Sequence, residues 1–238
     1  MKIENLKIVI IGIGGIGTHL TDLLARYVSH LKYDIPIILV DGDGVENKNI
    51  ERQSFTKDTI GKNKAQMKAA ELEETYEGNI KINCYPHYIT KQNIEEVFGT
   101  NTMVLMGVDN RASRLAVSQY CQTLDDVILI SGGNDYVDGA VLFYHREGGV
   151  DKLPPIEKYH DEIANPADKN PADIGCEEMI AMGSDPQLIF ANASASLIIC
   201  WGVYKYLLYI LKDEELNKTS EIYFDVVEMA TAKSELPV

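Results

Sequence analysis

No two of the four cysteines form a Cys-x-x-Cys pair. Cys84, Cys121, Cys176 and Cys200 stand far apart along 238 residues, which argues against a thiolate zinc site, and no zinc is expected. Basic residues are also scarce. Lys and Arg number 22 against 36 Asp and Glu, a formal net charge of −14. So acidic a surface repels phosphate backbones and anionic lipid, so neither nucleic acid nor a membrane is expected as a partner. Any phosphate site must be local, made from a few cations and backbone N–H groups. Nothing resembles a secretory leader, because residues 1–6 are too short and too polar ahead of the first apolar run. A reducing, cytoplasmic setting with free thiols is the expectation. Long apolar runs are missing too, with one exception. Residues 188–211 are long enough to span a bilayer. They contain Asn192, Ser194, Ser196 and Lys205 and have no companion run, which favours a core or interface helix.

What is present is the rhythm of an α/β protein. Hydrophobic residues make up 45% and charged residues 24% of the chain, ordinary values for a globular domain. Residues 8–11 are a continuous apolar run ending in glycines, which reads as a buried parallel strand and a tight turn. Leu20, Leu23, Leu24 and Tyr27 then share one helix face. Further strands are expected at "IPIILVDGD", "NIKINCYPHYI", "TMVLMGVDN" and "DVILISGG", with helices between them. This alternation predicts a Rossmann-like, mostly parallel, doubly wound sheet. After Gly132 the rhythm changes. "DGAVLFYHREGG" and "EIYFDVVEM" read as strands without crossover helices, so the sheet is expected to be extended by antiparallel strands. A proline-rich, charged stretch at about residues 150–176 reads as a crossover loop, and a stretch of this kind is usually functional. Residues 1–238 are taken as a single domain.

Gly12, Gly14 and Gly17 satisfy G-x-G-x-x-G between a strand and a helix. Such glycines permit a tight turn, close approach to phosphate and close helix–strand contact. Asp41 ends the second strand, where an acid can hold a ribose hydroxyl. An NAD(P)-dependent oxidoreductase would share these features. Yet no separate substrate domain is apparent, and the loop after Asp41 is crowded with polar groups. Arg52 and Lys64 supply two cations on the same side of the sheet, which suits a triphosphate better than a dinucleotide. Asp109 ends the fourth strand at the same carboxyl edge. A carboxylate beside a triphosphate points to Mg²⁺.

"GIGGIG", "VDGDGVENKNIERQ", "IGKNKA" and "VDNRASR" follow one another in this order. Over about residues 6–145 the chain is similar to the ThiF/MoeB and ubiquitin-activating superfamily, in particular to stand-alone bacterial ThiF-like proteins, including those of the PRTRC type. The resemblance implies an ATP site formed by Gly12, Gly14, Gly15, Gly17, Asp41, Asp43, Asn49, Arg52, Gln53, Lys64, Asp109 and Asn110. In it Asp41 holds the ribose, Asn49, Arg52 and Gln53 contact phosphates and a bound tail, Lys64 contacts phosphates, and Asp109 holds Mg²⁺. Asp43 and Glu46 also read as mere decoration of their loop. The implied reaction is adenylation of the C-terminal carboxylate of a ubiquitin-like, β-grasp protein by a homodimeric enzyme. A dimeric module that binds nucleotide or a peptide tail without turnover is the alternative.

Many family members carry a cysteine after the crossover loop that accepts the acyl group, which makes Cys176 the counterpart here. Glu177 and Glu178 would raise its pKa and oppose a reactive thiolate. Cys84, Cys121 and Cys200 fall in strand or helix patterns and are expected in the core. The arginine that family members carry ahead of the first strand finds no match, leaving Arg111, Arg114 or a partner protein to take its part.

Overall fold

A computed structural model describes residues 1–50, 53–174, 188–212, 214–216 and 218–238. The first strand, β1 (Lys7–Ile11), is buried from Ile8 onward. It lies between β2 (Ile37–Val40) and β4 (Thr102–Met106), parallel to both. Further parallel pairing adds β3 (Ile82–Tyr85) beside β2 and β5 (Val127–Asn134) beside β4. Beyond β5 the direction reverses. Antiparallel strands β6 (Asp138–Glu147), β8 (Glu221–Asp225) and β9 (Ala230–Ser234) continue the sheet, and β7 (Val150–Leu153) also pairs with β6. The order is β3-β2-β1-β4-β5-β6-β8-β9 in a nine-stranded sheet. The expected α/β sheet, a parallel half extended by antiparallel strands, is what forms.

Both faces are covered, and strand alternation decides which residue serves which face. Ile8 and Ile10 of β1 and Ile128 and Ile130 of β5 join one core cluster. Helices α1 (Gly15–Val28), α2 (Lys64–Tyr76) and α6 (Ile189–Lys212) close it. Val9, Ile11, Val127 and Leu129 point into the other cluster, under α3 (Ile94–Val97), α4 (Arg111–Cys121) and α5 (Asp161–Ala164).

Helix α6 has two different flanks. Ala191, Ala195, Ile198, Ile199, Gly202 and Val203 are buried. Ala191, Ala195 and Gly202 are small and let the helix lie close: a Cβ on Gly202 would come within 2.6 Å of the Phe143 ring. Phe190, Leu197, Trp201 and Tyr204 are exposed on the helix, and Leu23 is exposed on neighbouring α1. The helix is apolar and long enough to cross a membrane, with a mean hydropathy of 1.5 over its most apolar 18 residues. Its buried residues, however, contact α1, β5 and β6.

Three expectations change. The stretch at 150–174 is not an open loop. It begins with β7, contains α5 and a 3₁₀ turn at Pro171–Asp173, and buries Ile156 and Ile163. Strand β9, all but unburied, is an addition to the sheet. Cys84 is exposed rather than in the core, because β3 is the edge strand; Cys121 is buried and Cys200 half-buried.

Candidate nucleotide site

The site begins where β1 and β4 part. The chain leaves β1 for α1 on one face of the sheet and leaves β4 for α4 on the other. Adjacent strands that diverge in this way open a crevice at their carboxyl ends. Gly12 turns the chain there with φ of +89°, a left-handed conformation. A Cβ on it would meet the Gly107 backbone at 3.0 Å. Gly17 permits closer contact still, since a Cβ there would lie 1.8 Å from the Gly12 carbonyl oxygen. Gly14 caps α1 without any side-chain hydrogen bond. The first turn of this 14-residue helix therefore lacks a side-chain cap, and its positive end faces the turn.

Asp41 follows β2 and is buried. Its carboxylate accepts the Ile13 N–H at 2.6 Å and the Asp43 N–H at 2.7 Å, so one side chain fixes both the glycine turn and the loop after β2. Burial pushes its pKa up to about 6, with neighbouring Asp43 adding to the rise and Lys64 and the two N–H groups opposing it.

Lys64 opens α2, whose N-cap Asn63 accepts the Gln66 N–H at 3.0 Å and donates to the Asp41 carbonyl at 2.9 Å. The Lys64 ammonium is almost wholly buried and lies 2.9 Å from Asp43 Oδ2. Burial works against its charge, but Asp41, Asp43 and Asp109 outweigh that and hold its pKa above the ordinary lysine value. Asp43 is more than loop decoration. It pairs with Lys64 and accepts a short hydrogen bond from the Tyr88 hydroxyl. Its pKa falls despite burial, because Lys64 and Tyr88 favour the anion. The Tyr88 ring lies against Gly42, where a Cβ would be 2.5 Å from its Cγ. Glu46, also read as decoration, caps the short 3₁₀ turn at Asn47–Asn49, and buried Asn49 accepts the Glu46 N–H at 2.8 Å.

Gln53 is buried, with its Nε2 3.9 Å from the place of a Cβ on Gly14. Its Oε1 has no hydrogen-bond partner among the described residues. Arg52 and Cys176 lie outside the described residues. Asp109 is exposed at the end of β4. Beside it, Asn110 caps α4 through the Ser113 N–H at 2.8 Å, and Asp168 accepts the Arg111 and Ala112 N–H groups at 2.9 and 2.8 Å. Arg114 donates to the Val108 and Gly132 carbonyls at 2.8 and 2.9 Å. Burial lowers its guanidinium to about 10, still charged at neutral pH. It braces the ends of β4 and β5 and is not free to replace an arginine elsewhere; Arg111 is exposed. Among the described residues no three His, Cys, Asp or Glu side chains gather as a metal cluster. A lone exposed carboxylate still fits Mg²⁺, which uses one or two protein carboxylates together with substrate phosphates.

Tyr88, Asp168 and, on α6, Asn192 were not singled out as site residues. Asn192 has both amide atoms buried and unpartnered among the described residues, and its Nδ2 lies 2.4 Å from where a Cβ on Gly15 would be.

A glycine turn at the switch point of a parallel sheet, with an acid ending the neighbouring strand and a buried lysine beside it, defines a Rossmann-like domain. More narrowly, the chain belongs to the ThiF family, whose model matches residues 1–233. Among curated relatives, the adenylyltransferase and sulfurtransferase MOCS3-1 of Zea mays is 31% identical over 149 residues, 62% of this chain and 30% of that protein. Ubiquitin-like modifier-activating enzyme 5 of Oryza sativa subsp. japonica is 29% identical over 154 residues, 59% of this chain and 35% of that protein. The chain thus spans about a third of the length of these relatives. In structure, E. coli MccB crystallised with ATP has the same fold: TM-score 0.71, 22% identity, 98% of this chain and 64% of that one.

Proposed function

We propose that this protein binds Mg-ATP at the glycine turn and adenylates the C-terminal carboxylate of a small protein of the ubiquitin-like, β-grasp class. The observation that carries the reading is the buried Lys64 ammonium, held charged by Asp41 and Asp43, with Asp41 also fixing the glycine turn through the Ile13 N–H. Fixed positive charge of this kind, in a site with little water, stabilises the extra negative charge of a phosphoryl transition state. The names of the relatives, an adenylyltransferase and a ubiquitin-like modifier-activating enzyme, support the same class, as does the MccB structure with ATP.

In the reaction a tail carboxylate oxygen forms a bond to the α-phosphorus of ATP, and the bond from that phosphorus to the bridging oxygen of pyrophosphate breaks. The carboxylate is already ionised at neutral pH, so no general base is required. The work of the chain is alignment and charge neutralisation. The glycine turn at Gly12, Gly14, Gly15 and Gly17 admits the phosphates, Lys64 faces them, and Asn49, Gln53 and, by the family resemblance, Arg52 serve the tail. Asp109 would hold Mg²⁺, which when bound neutralises phosphate charge. Asp41 takes the ribose side and keeps both loops in place. The exposed face of α6 with Leu23 is the surface for a second copy, and the chain works as a homodimer.

ATP–pyrophosphate exchange in the presence of a β-grasp protein ending in Gly-Gly tests this. Exchange is expected with wild type and should drop by about 100-fold in Lys64→Ala and Asp109→Ala. ATP binding with no exchange across a panel of such tails would leave the non-catalytic module as the better reading. Binding of NAD but not ATP in titration calorimetry would defeat both.

A further inference from the structure

Asn192 and Ser196 sit one turn apart on α6, both fully buried, against the first turns of α1. Their hydrogen bonding differs. The Ser196 hydroxyl makes contacts of 2.7 Å with the Ile16 carbonyl and 2.8 Å with the Asn192 carbonyl. That accounts for it as a tie between the two helices. Asn192 ties nothing. Neither Oδ1 nor Nδ2 has a partner among the described residues, although burying an unpaired amide carries a real cost. An apolar side chain of the same size would fill the space at no such penalty. What lies against the amide is Gly15, at the uncapped N-terminus of α1. The Gln53 carboxamide, from the loop after β2, approaches Gly14, one residue earlier, and it too has a buried oxygen without a partner. Two elements far apart in sequence therefore each bring a carboxamide with at least one unsatisfied atom to neighbouring residues of one turn.

We propose that Asn192 is a ligand-binding residue of this turn, donating from Nδ2 to an anionic oxygen seated at the N-terminus of α1. A carboxamide suits the place because it adds a donor without a charge, in a spot where α1 already supplies a positive field. The anionic oxygen has two sources under the adenylation reading on which this inference rests: a phosphate of the nucleotide, or the carboxylate of the tail. Ligand binding supplies the hydrogen bond that the unliganded side chain lacks, so the amide is preorganised for a ligand at the expense of the resting protein.

The test uses Asn192→Leu, close to isosteric and apolar, together with Asn192→Ala, which leaves space. In thermal melts without ligand, Asn192→Leu is expected to match or exceed wild type, because it removes an unpaired buried polar group. Each protein is then titrated with Mg-ATP, and with a peptide ending in Gly-Gly in the presence of a non-hydrolysable ATP analogue. Weakening of ATP binding by about tenfold in both variants assigns the contact to phosphate. Unchanged ATP affinity with similarly weakened peptide binding assigns it to the tail carboxylate. Two results overturn the proposal: a lower ligand-free melting temperature for Asn192→Leu, which would mark the amide as structural, or both affinities unchanged in both variants. Wild-type protein that binds neither probe sinks the adenylation reading itself, and this inference with it. A fault in the Asn192 assignment alone leaves wild-type binding intact.

Discussion

Asp41 ties the glycine turn to the loop after β2. It accepts hydrogen bonds from Ile13 and Asp43, and its carbonyl accepts one from Asn63. Its pKa of about 6 in the fold, against 3.8 unfolded, has a definite sign for stability. The folded state holds a proton that the unfolded state has already lost, so this contribution is fully present below about pH 4 and fades as pH rises through 6. Asp41→Asn does not titrate. Its stability relative to wild type should therefore improve by about 2 kcal/mol between pH 4 and pH 7, read by urea denaturation at both values. An equal offset at the two pH values would show that Asp41 ionises normally in the fold. Gly17 supports a second expectation. An added Cβ would meet the Gly12 carbonyl at 1.8 Å, and backbone cannot step aside as a side-chain tip can. Gly17→Ala should lose roughly 3 kcal/mol or more, or fail to fold; a wild-type denaturation midpoint would contradict the packing described. These two residues could be read from the sequence because Gly17 belongs to the G-x-G-x-x-G turn and Asp41 ends the second apolar run. Tyr88, Asp168 and Asn192 could not, since only tertiary contact brings them to Gly42, α4 and Gly15. Asn192 left one trace: it was among the few polar interruptions of an otherwise apolar run.

Among the elements, α4 shows how the crossover segment is fastened. Its N-terminus receives the Asn110 side chain and both oxygens of Asp168, 57 residues from Arg111. Asn170, buried, adds bonds to the Ile89 carbonyl and the Ser113 hydroxyl. A charged cap of this kind contributes about 1 kcal/mol. Asp168→Ala should lose that much in chemical denaturation and speed amide exchange at Arg111 and Ala112; unchanged exchange there would mean the strap is not held by its cap. The parallel half was legible because its strands are buried on both faces, and unbroken apolar runs such as residues 8–11 can hardly be anything else. Strands β7 and β9 left no such signal. In β9 only Ser234 is even partly buried, so no alternation between core and solvent is imposed on its sequence. The prolines and charges after Leu153 suggested an open loop and concealed the buried Ile156 and Ile163.

For the molecule as a whole, the exposed flank of α6 is the largest unresolved demand. Trp201, Tyr204 and Leu197 are each between 45% and 49% exposed on one helix, and Leu23 of α1 is 44% exposed. In the proposed homodimer these residues are covered. Sedimentation at micromolar concentration should give a dimer for wild type and a monomer for Trp201→Glu, with the monomer keeping its circular dichroism; a wild-type monomer would refute the arrangement. Helix α6 also has a consequence in time. It brings Ser196 to Ile16, 180 residues away in the chain, and the same helix places Asn192 over the glycine turn. The strands and turn that look like a finished nucleotide site leave the ribosome before that helix does. At about 5–20 residues per second, roughly ten to forty seconds separate the appearance of the turn from that of the helix that covers it. Through that interval the nascent chain displays a glycine cradle with one wall missing.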